Sequence, residues 1–383
     1  MTAPTYDVVV IGAGVFGAWT AWHLVQRKQR VLLVEAFSPA HTRASSGGES
    51  RIIRMSYGPD EIYTRWSQES LRQWKGLFAA TGQYLFHQTG VLWLSSAGDS
   101  RFDDSVNTLC RCSVRHDVFT PAELQRLYPQ FNLDGISRGL FEPDSGVLLA
   151  RRAVVCTVES AQRLGVHLRT AQIQPPTGAN RVQSIHTAEG DNISARSFVF
   201  ACGPWLGKLF PQLLGSRIFP TRQEVFFFAT PPGNANFAHP GLPTWLFQSE
   251  EVYGMPDIEG RGLKIARDTH GERVDPDSQS RLASPESAEW ARSFVARRFP
   301  SIANPLIVET RVCQYENTSS GDFLIDRHPE LSNVFLVGGG SGHGFKHGPA
   351  VGEYTANLLM GAASPESRFS LVTKATHQHR LIH

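Results

Sequence analysis

A chain of 383 residues is long enough for two cores, so two domains are expected. Its 37 Lys and Arg are balanced by 35 Asp and Glu and spread along the chain, which leaves no footprint for nucleic acid or a charged membrane surface as partner. No apolar run approaches a membrane span, and five cysteines, an odd number without a disulfide framework, fit a reducing cytoplasm.

From Tyr6 to Phe37 the chain reads as strand, glycine turn, helix and strand. The short apolar run at its head lacks the basic flank of a signal peptide and reads as the first strand. Gly12, Gly14 and Gly17 supply a tight turn, close approach to a pyrophosphate and helix–strand packing. The helix start offers free N–H groups to the pyrophosphate, and Glu35 is placed to accept from a ribose hydroxyl.

Residues 60–79 carry Ile62, Trp66, Ser70, Trp74 and Leu77 at helical spacing, an aromatic stripe that predicts a packed amphipathic helix. "GVLWLSS" (90–96) begins a texture of short strands, and Thr120, Pro121 and Glu123 form a capping box that opens a short helix. "CRCSVRH" (110–116) has no second ligand pair at zinc spacing, so no metal is expected. Residues 146–170 return to helix and strand, and 195–205 end in a strand and a Gly-Pro turn. Strand-like runs dominate 216–318, with one helix capped by Ser284 and Pro285. "VFLVGGGSGHGFKHGPAVGE" (334–353) then repeats the strand, glycine turn and helix design.

Nucleotide-type texture thus comes in three pieces. The expected fold is α/β (α+β): a discontinuous Rossmann-like domain from 1–88, 145–215 and 320–383, with an inserted β-rich substrate domain of mixed sheet from 89–144 and 216–319. A nicotinamide enzyme has no evident need for the second glycine-rich helix start, whereas a flavin does. A helix N-terminus aimed at the pyrimidine edge stabilises the reduced ring, and glycines let backbone approach it.

"VVVIGAGVFG" (8–17), "SSGGESRIIRMSYG" (45–58), "FVFACGPW" (198–205), "GLKI" (262–265), "CQYENTSSGDFLIDRHP" (313–329) and "GGGSGHGFK" (338–346) together resemble one family over essentially the whole chain. It is the FAD-dependent amine oxidases of the glycine/D-amino-acid oxidase superfamily, and within it the monomeric sarcosine oxidase and N-methyltryptophan oxidase group. The resemblance implies oxidation of a secondary amine bearing a carboxylate, with dioxygen reduced to hydrogen peroxide, by a monomer. A carrier-linked dehydrogenase and a non-catalytic flavin-binding subunit remain the alternatives.

Carried over position by position, the resemblance places FAD against Gly12, Gly14, Val15, Phe16, Gly17, Glu35 and Ala36 in the first unit. Arg43, Ser45, Ser46, Ser50 and Arg51 follow, then Ile173, Ala201, Cys202, Gly203 and Trp205. Cys313 and Asp326, with Gly340, Gly342, His343, Gly344, Phe345 and Lys346, complete the set, and Cys313 matches the cysteine that forms a thioether to the flavin. Arg54 and Lys346 match the clamp on a substrate carboxylate, a role suited to a guanidinium fork and a point cation. Arg51 matches a second arginine beside the flavin, Lys264 the lysine that activates oxygen, and Tyr253 and Tyr315 the aromatic lining of the substrate cavity. Two departures stand out. Gly47 and Asp268 replace histidines of the sarcosine oxidases, the first expected to open space over the flavin and the second to add a carboxylate. Both favour a substrate larger than sarcosine, with a second cationic group.

Overall fold

The computed structural model describes residues 6–302 and 304–378; the outermost five residues at each end of the expected division lie outside the described residues. Among the described residues, three sheets organise the fold. In the seven-stranded sheet, the strands Val334–Gly338, Asn192–Phe200, Tyr6–Ile11, Val31–Glu35 and His167–Thr170 run parallel in that order. Leu324–Arg327 adds an antiparallel edge beside Val334–Gly338, and Ser184–His186 pairs antiparallel with Asn192–Phe200.

Strand alternation sends these side chains into two cores. Val8, Val10 and Leu33 face a core shared with the helices Val15–Gln26, Glu61–Thr81 and Ala150–Arg163, whereas Val9, Ile11, Leu32 and Val34 face a second core with Phe198, Phe200 and Leu336. The helix Glu61–Thr81 buries Ser70, Trp74 and Leu77 and packs Ile62 and Trp66 against the first core, as their spacing predicts.

The eight-stranded sheet runs Ile307–Asn317, Phe219–Phe228, Leu263–Arg267, Val252–Met255, Thr244–Phe247, Val91–Ser95, Arg138–Glu142 and Asp117–Phe119. Every neighbouring pair is antiparallel except Thr244–Phe247 with Val91–Ser95, the joint at which two distant stretches of chain meet. Its outer face carries Phe226, Phe228, Leu263 and Ile265 into an aromatic core under the helix Pro285–Arg298. Ser284 caps that helix by accepting from Ser287 N, and the Thr120–Glu123 capping box forms at Pro121–Leu127. With Leu263 and Ile265 turned outward, the intervening Lys264 is delivered to the opposite face, towards Phe227. A small antiparallel sheet, Arg51–Ile53, Gly146–Leu148 and Phe86–His87, completes the fold.

The second glycine-rich unit differs from expectation. Its long helix starts only at Gly348, after a short turn of 3-10 helix at Phe345–His347. Gly348 and Gly352 face the first helix so closely that a Cβ would lie 2.4 Å from Val15 Cγ2 and 2.5 Å from the Trp19 carbonyl carbon. These glycines therefore serve helix packing, and the turn ahead of them reaches the site.

Candidate active site

At the carboxyl ends of the parallel strands a cavity of about 360 Å³ opens, at the place where open α/β sheets receive their ligands. Gly12, Gly14, Val15, Phe16, Glu35, Ala36, Ser45, Ser46 and Arg51 line it, with Ile173, Ala201, Cys202, Gly203 and Trp205. Tyr315, Gly342 and Phe345 stand at its far end, and Gly340 and Gly344 also line it. Gly12 has φ +100°, and a Cβ there would sit 2.3 Å from the Ala201 oxygen. Gly342, at φ +79°, would meet the Tyr315 ring at 2.7 Å. Both positions need glycine, and together they bring bare backbone to the cavity wall. At the other end Glu35 Oε2 accepts from Ala13 N at 2.8 Å, while burial raises the carboxyl's pKa and pushes that of neighbouring His41 down to about 4. The 3.6 Å contact between them therefore joins a carboxyl to a neutral imidazole at pH 7.

Other expected cofactor residues lie elsewhere. Gly17 sits beneath the turn, where a Cβ would be 1.8 Å from the Gly12 oxygen. Arg43 is exposed and lies over Phe37, and the Asp326 carboxylate accepts from Ser370 Oγ and Leu371 N, tying the C-terminal segment to the sheet edge. Ser50 turns towards Lys264, whereas Cys313 lies against two residues of the cavity wall, its thiol 3.3 Å from Arg51 Nη2 and 3.7 Å from the Ser45 oxygen. Residues missed from sequence include Gln172, Lys208, Asp277, Gln314, Glu316 and Ser341. Gln314 and Glu316 flank Tyr315 and were within reach of a motif reading, but Lys208 and Asp277 come from separated segments with no local signal.

A second, smaller cavity of about 50 Å³ shares Arg51, Tyr315, Gly342 and Phe345 with the first, so the two meet at those four residues. Arg54, Lys346, Tyr253, Asp268, His343, Leu246 and Met255 also line it. The buried Arg54 guanidinium sits over the rings of Tyr57 at 4.4 Å and Trp93 at 4.7 Å and donates to the Ser56 oxygen. Lys346 Nζ donates to Tyr57 Oη at 2.7 Å and to the His343 oxygen at 3.0 Å. The turn that presents Lys346 is held from behind, because Trp74 stacks on Phe345 at 5.9 Å and donates from Nε1 to the Lys346 oxygen. Tyr253 is hydrogen-bonded to Tyr315, and burial pushes its pKa up to about 12, so it stays a neutral phenol.

Arg51 donates from Nη1 to the Ser50 oxygen at 2.8 Å, and Lys264 Nζ donates to the same oxygen at 2.8 Å and to Ser50 Oγ at 3.1 Å. Burial, then the Arg51 charge, lowers the Lys264 pKa well below that of an ordinary lysine. Lys264 lines a third chamber, of about 90 Å³, which shares Met255 with the second cavity.

The two departures separate here. Asp268 lines the second cavity and also a fourth, of about 170 Å³. Gly47, in contrast, opens no space. A Cβ there would lie 2.1 Å from the His41 oxygen, so the main chain fills the room that the missing side chain was expected to leave.

The family described as DAO, FAD dependent oxidoreductase, matches residues 7–358. The chain belongs to this family. It is 33% identical over 361 residues to monomeric sarcosine oxidase of Bacillus sp. (strain NS-129), covering 92% of each chain, and 30% identical over 363 residues to human peroxisomal sarcosine oxidase, covering 93% of this chain and 92% of that one. N-methyl-L-tryptophan oxidase of Salmonella heidelberg (strain SL476) is 26% identical over 361 residues, with 93% and 95% covered. The fold also matches L-proline dehydrogenase from P. horikoshii at a TM-score of 0.84 and 21% identity, over 96% of this chain and 97% of that one. The enzyme is thus an FAD-dependent oxidoreductase, and its glycine-lined cavity fits that cofactor. Among the described residues no helix is long and apolar enough to cross a membrane.

Proposed function

We propose that the enzyme oxidises a secondary amine carrying a carboxylate, an N-methyl or otherwise N-substituted amino acid, and passes the electrons to dioxygen. The observation that carries this reading is the pair of buried cations, Arg54 and Lys346, in a cavity that meets the cofactor cavity at Arg51, Tyr315, Gly342 and Phe345. A carboxylate held there is desolvated and paired, which fixes the neighbouring amine and its α-carbon over the flavin end. Bound FAD would accept the equivalent of a hydride and return the electrons to dioxygen, yielding hydrogen peroxide, and water would hydrolyse the imine product to aldehyde and amine. The protein's part is positioning and electrostatics. Tyr253 stays protonated and cannot act as a base near neutral pH, and an amine that binds unprotonated needs none.

In this reading the pieces 1–88, 145–215 and 320–383 form the cofactor domain, which also carries the clamp residues Arg54 and Lys346, and 89–144 with 216–319 form the substrate domain, which supplies Lys264, Tyr253, Tyr315 and Asp268 and reaches the flavin with Cys313. Lys264 supplies positive charge where oxygen is reduced. Cys313, adjacent to Arg51, forms the thioether to the flavin. Asp268 and Leu246 line both the substrate cavity and the 170 Å³ chamber, which supports a substrate longer than sarcosine, with its distal end beyond that partition. The enzyme works as a soluble cytoplasmic monomer.

The test is a panel of sarcosine, N-methyltryptophan, pipecolate, proline and glycated amino acids, each beside its carboxamide, with peroxide as readout. Acids are expected to turn over and carboxamides to fail. Equal turnover of both members of a pair overturns the clamp, and dye reduction without peroxide overturns the oxidase reading. For the thioether, acid-precipitated protein should stay yellow and weigh one FAD more than the chain; a colourless pellet overturns it.

A further inference from the structure

Glu316 lies near the end of the strand Ile307–Asn317, buried, on the wall of the cofactor cavity. No reading from sequence assigned it a role. Among the described residues its Oε1 has no hydrogen-bond partner. The Gly339 and Gly340 amides donate to the carboxyl, an effect that burial outweighs, and the Ser341 amide donates to the Glu316 carbonyl at 2.8 Å. The fold makes room for this acid: a Cβ on Gly338, the last residue of its strand, would lie 2.3 Å from Oε1. A buried polar oxygen left unpaired is costly, and a fold that shapes a strand end around one has a partner for it.

We propose that Glu316 is a cofactor-binding residue that works as a neutral carboxylic acid, donating its proton to a hydroxyl or phosphate oxygen in the middle stretch of FAD. The middle stretch is indicated because Cys202 feels the charges of both Glu35, at one end of the cavity, and Glu316, which follows Tyr315 of the other end. An ionised carboxylate at that place repels a diphosphate, whereas a neutral acid supplies a donor. Burial pushes the carboxyl up to about 8, so it is mostly protonated at pH 7. The titratable groups facing this cavity from the surrounding elements are Glu35, His41, Arg51, Cys202, Lys208, Asp277 and Tyr315. Of these, Cys202 is coupled to Glu316: burial first, then the Glu35 and Glu316 charges, raises its thiol well above the usual range.

The inference rests on FAD binding alone and is independent of which amine is oxidised. Its test is the FAD dissociation constant of the full chain, measured by flavin fluorescence between pH 6 and 10 in a Cys313→Ala background that keeps the cofactor exchangeable. FAD affinity is expected to fall about tenfold per pH unit above pH 8 with Glu316 present. Glu316→Gln, which keeps a donor and loses the titration, should bind as tightly at pH 7 and lose that fall. Glu316→Leu should bind at least tenfold more weakly at pH 7. A Glu316→Gln protein with the same pH dependence, or a folded Glu316→Leu protein with undiminished affinity, overturns the proposal.

Discussion

The two large sheets present different surfaces to the site. The seven-stranded sheet and its turns meet the cofactor cavity largely with backbone, at Gly12, Gly14, Gly340, Gly342 and Gly344, and at Gly12, Gly342 and Gly344 a Cβ would collide with main chain or a packed ring. The eight-stranded sheet contributes side chains, with Lys264, Tyr253, Tyr315 and Asp268 placed by strand alternation and hairpin ends. A backbone wall is sterically all-or-none, because atoms 2.3 Å apart cannot be relieved by a rotamer change. A side-chain wall can be tuned one charge at a time. The first surface defines what the cofactor must be, and the second leaves room for substrates to differ.

The largest expected effect follows from the backbone wall. Gly12→Ala combines φ +100° with a Cβ 2.3 Å from the Ala201 oxygen, so the purified variant should lack flavin absorbance or fail to accumulate as folded protein. Normal FAD content in this variant would break the comparison.

Next is Lys264, on the tunable side. A well-placed donor or cation in a dry site is worth roughly 100- to 1000-fold in rate, so Lys264→Met should slow reoxidation of the reduced enzyme by that order in stopped-flow, with substrate reduction of the flavin much less affected. Equal slowing of both half-reactions would make Lys264 a structural cation, in keeping with its bonds to Ser50. At the clamp, Lys346→Met should weaken a carboxylate inhibitor by about 2–5 kcal/mol, the range for breaking a buried charge pair, and titration of the flavin spectrum reads it directly.

A smaller effect belongs to the cofactor side. Burial pushes His23, in the first helix, down to about 3 from 6.5. Its folded pKa is depressed, so the unfolded chain binds the extra proton between these values, and stability falls as pH drops from 6.5 towards 3. The slope is at most about 1.4 kcal/mol per pH unit from this residue. Urea unfolding of His23→Gln at pH 5 and pH 7 should show a smaller acid loss than the parent; an unchanged loss would remove His23 from the account.

The smallest change is Asp268→Asn. It should lower turnover of amino acids with a cationic tail by a few-fold relative to neutral ones, within the ~0.2–1 kcal/mol of a partly exposed charge contact. An unchanged preference in the peroxide assay would show that the tail does not reach the chamber beyond Leu246.

Much of this was legible before any fold was known, for identifiable reasons. The turn at Gly12–Gly17, the acid at Glu35, the helix Glu61–Thr81 and the caps at Thr120 and Ser284 are local: a few consecutive residues carry the conformational preference and its purpose. The clamp residues Arg54 and Lys346 came from motif order, since nothing local shows a cation turning inward. Gly47 misled because a missing side chain was read as empty space, when the His41 carbonyl occupies it. The C-terminal helix misled because glycines suit a ligand and a neighbouring helix equally well, and only the position of Val15 and Trp19 distinguishes the two.

By itself, then, the sequence determined the local elements, the dinucleotide turn and the residue types available for chemistry, because these depend on dihedral preference, periodicity and capping within a few turns of chain. Tertiary structure alone decided which of those groups share a cavity. Glu316, Lys208 and Asp277 line one cavity, Lys264 and Met255 share another, and Asp268 stands between two chambers, through contacts among residues far apart in the chain. Burial, and with it the protonation of Glu316 and Lys264, is a property of those contacts and is written in no short stretch of sequence.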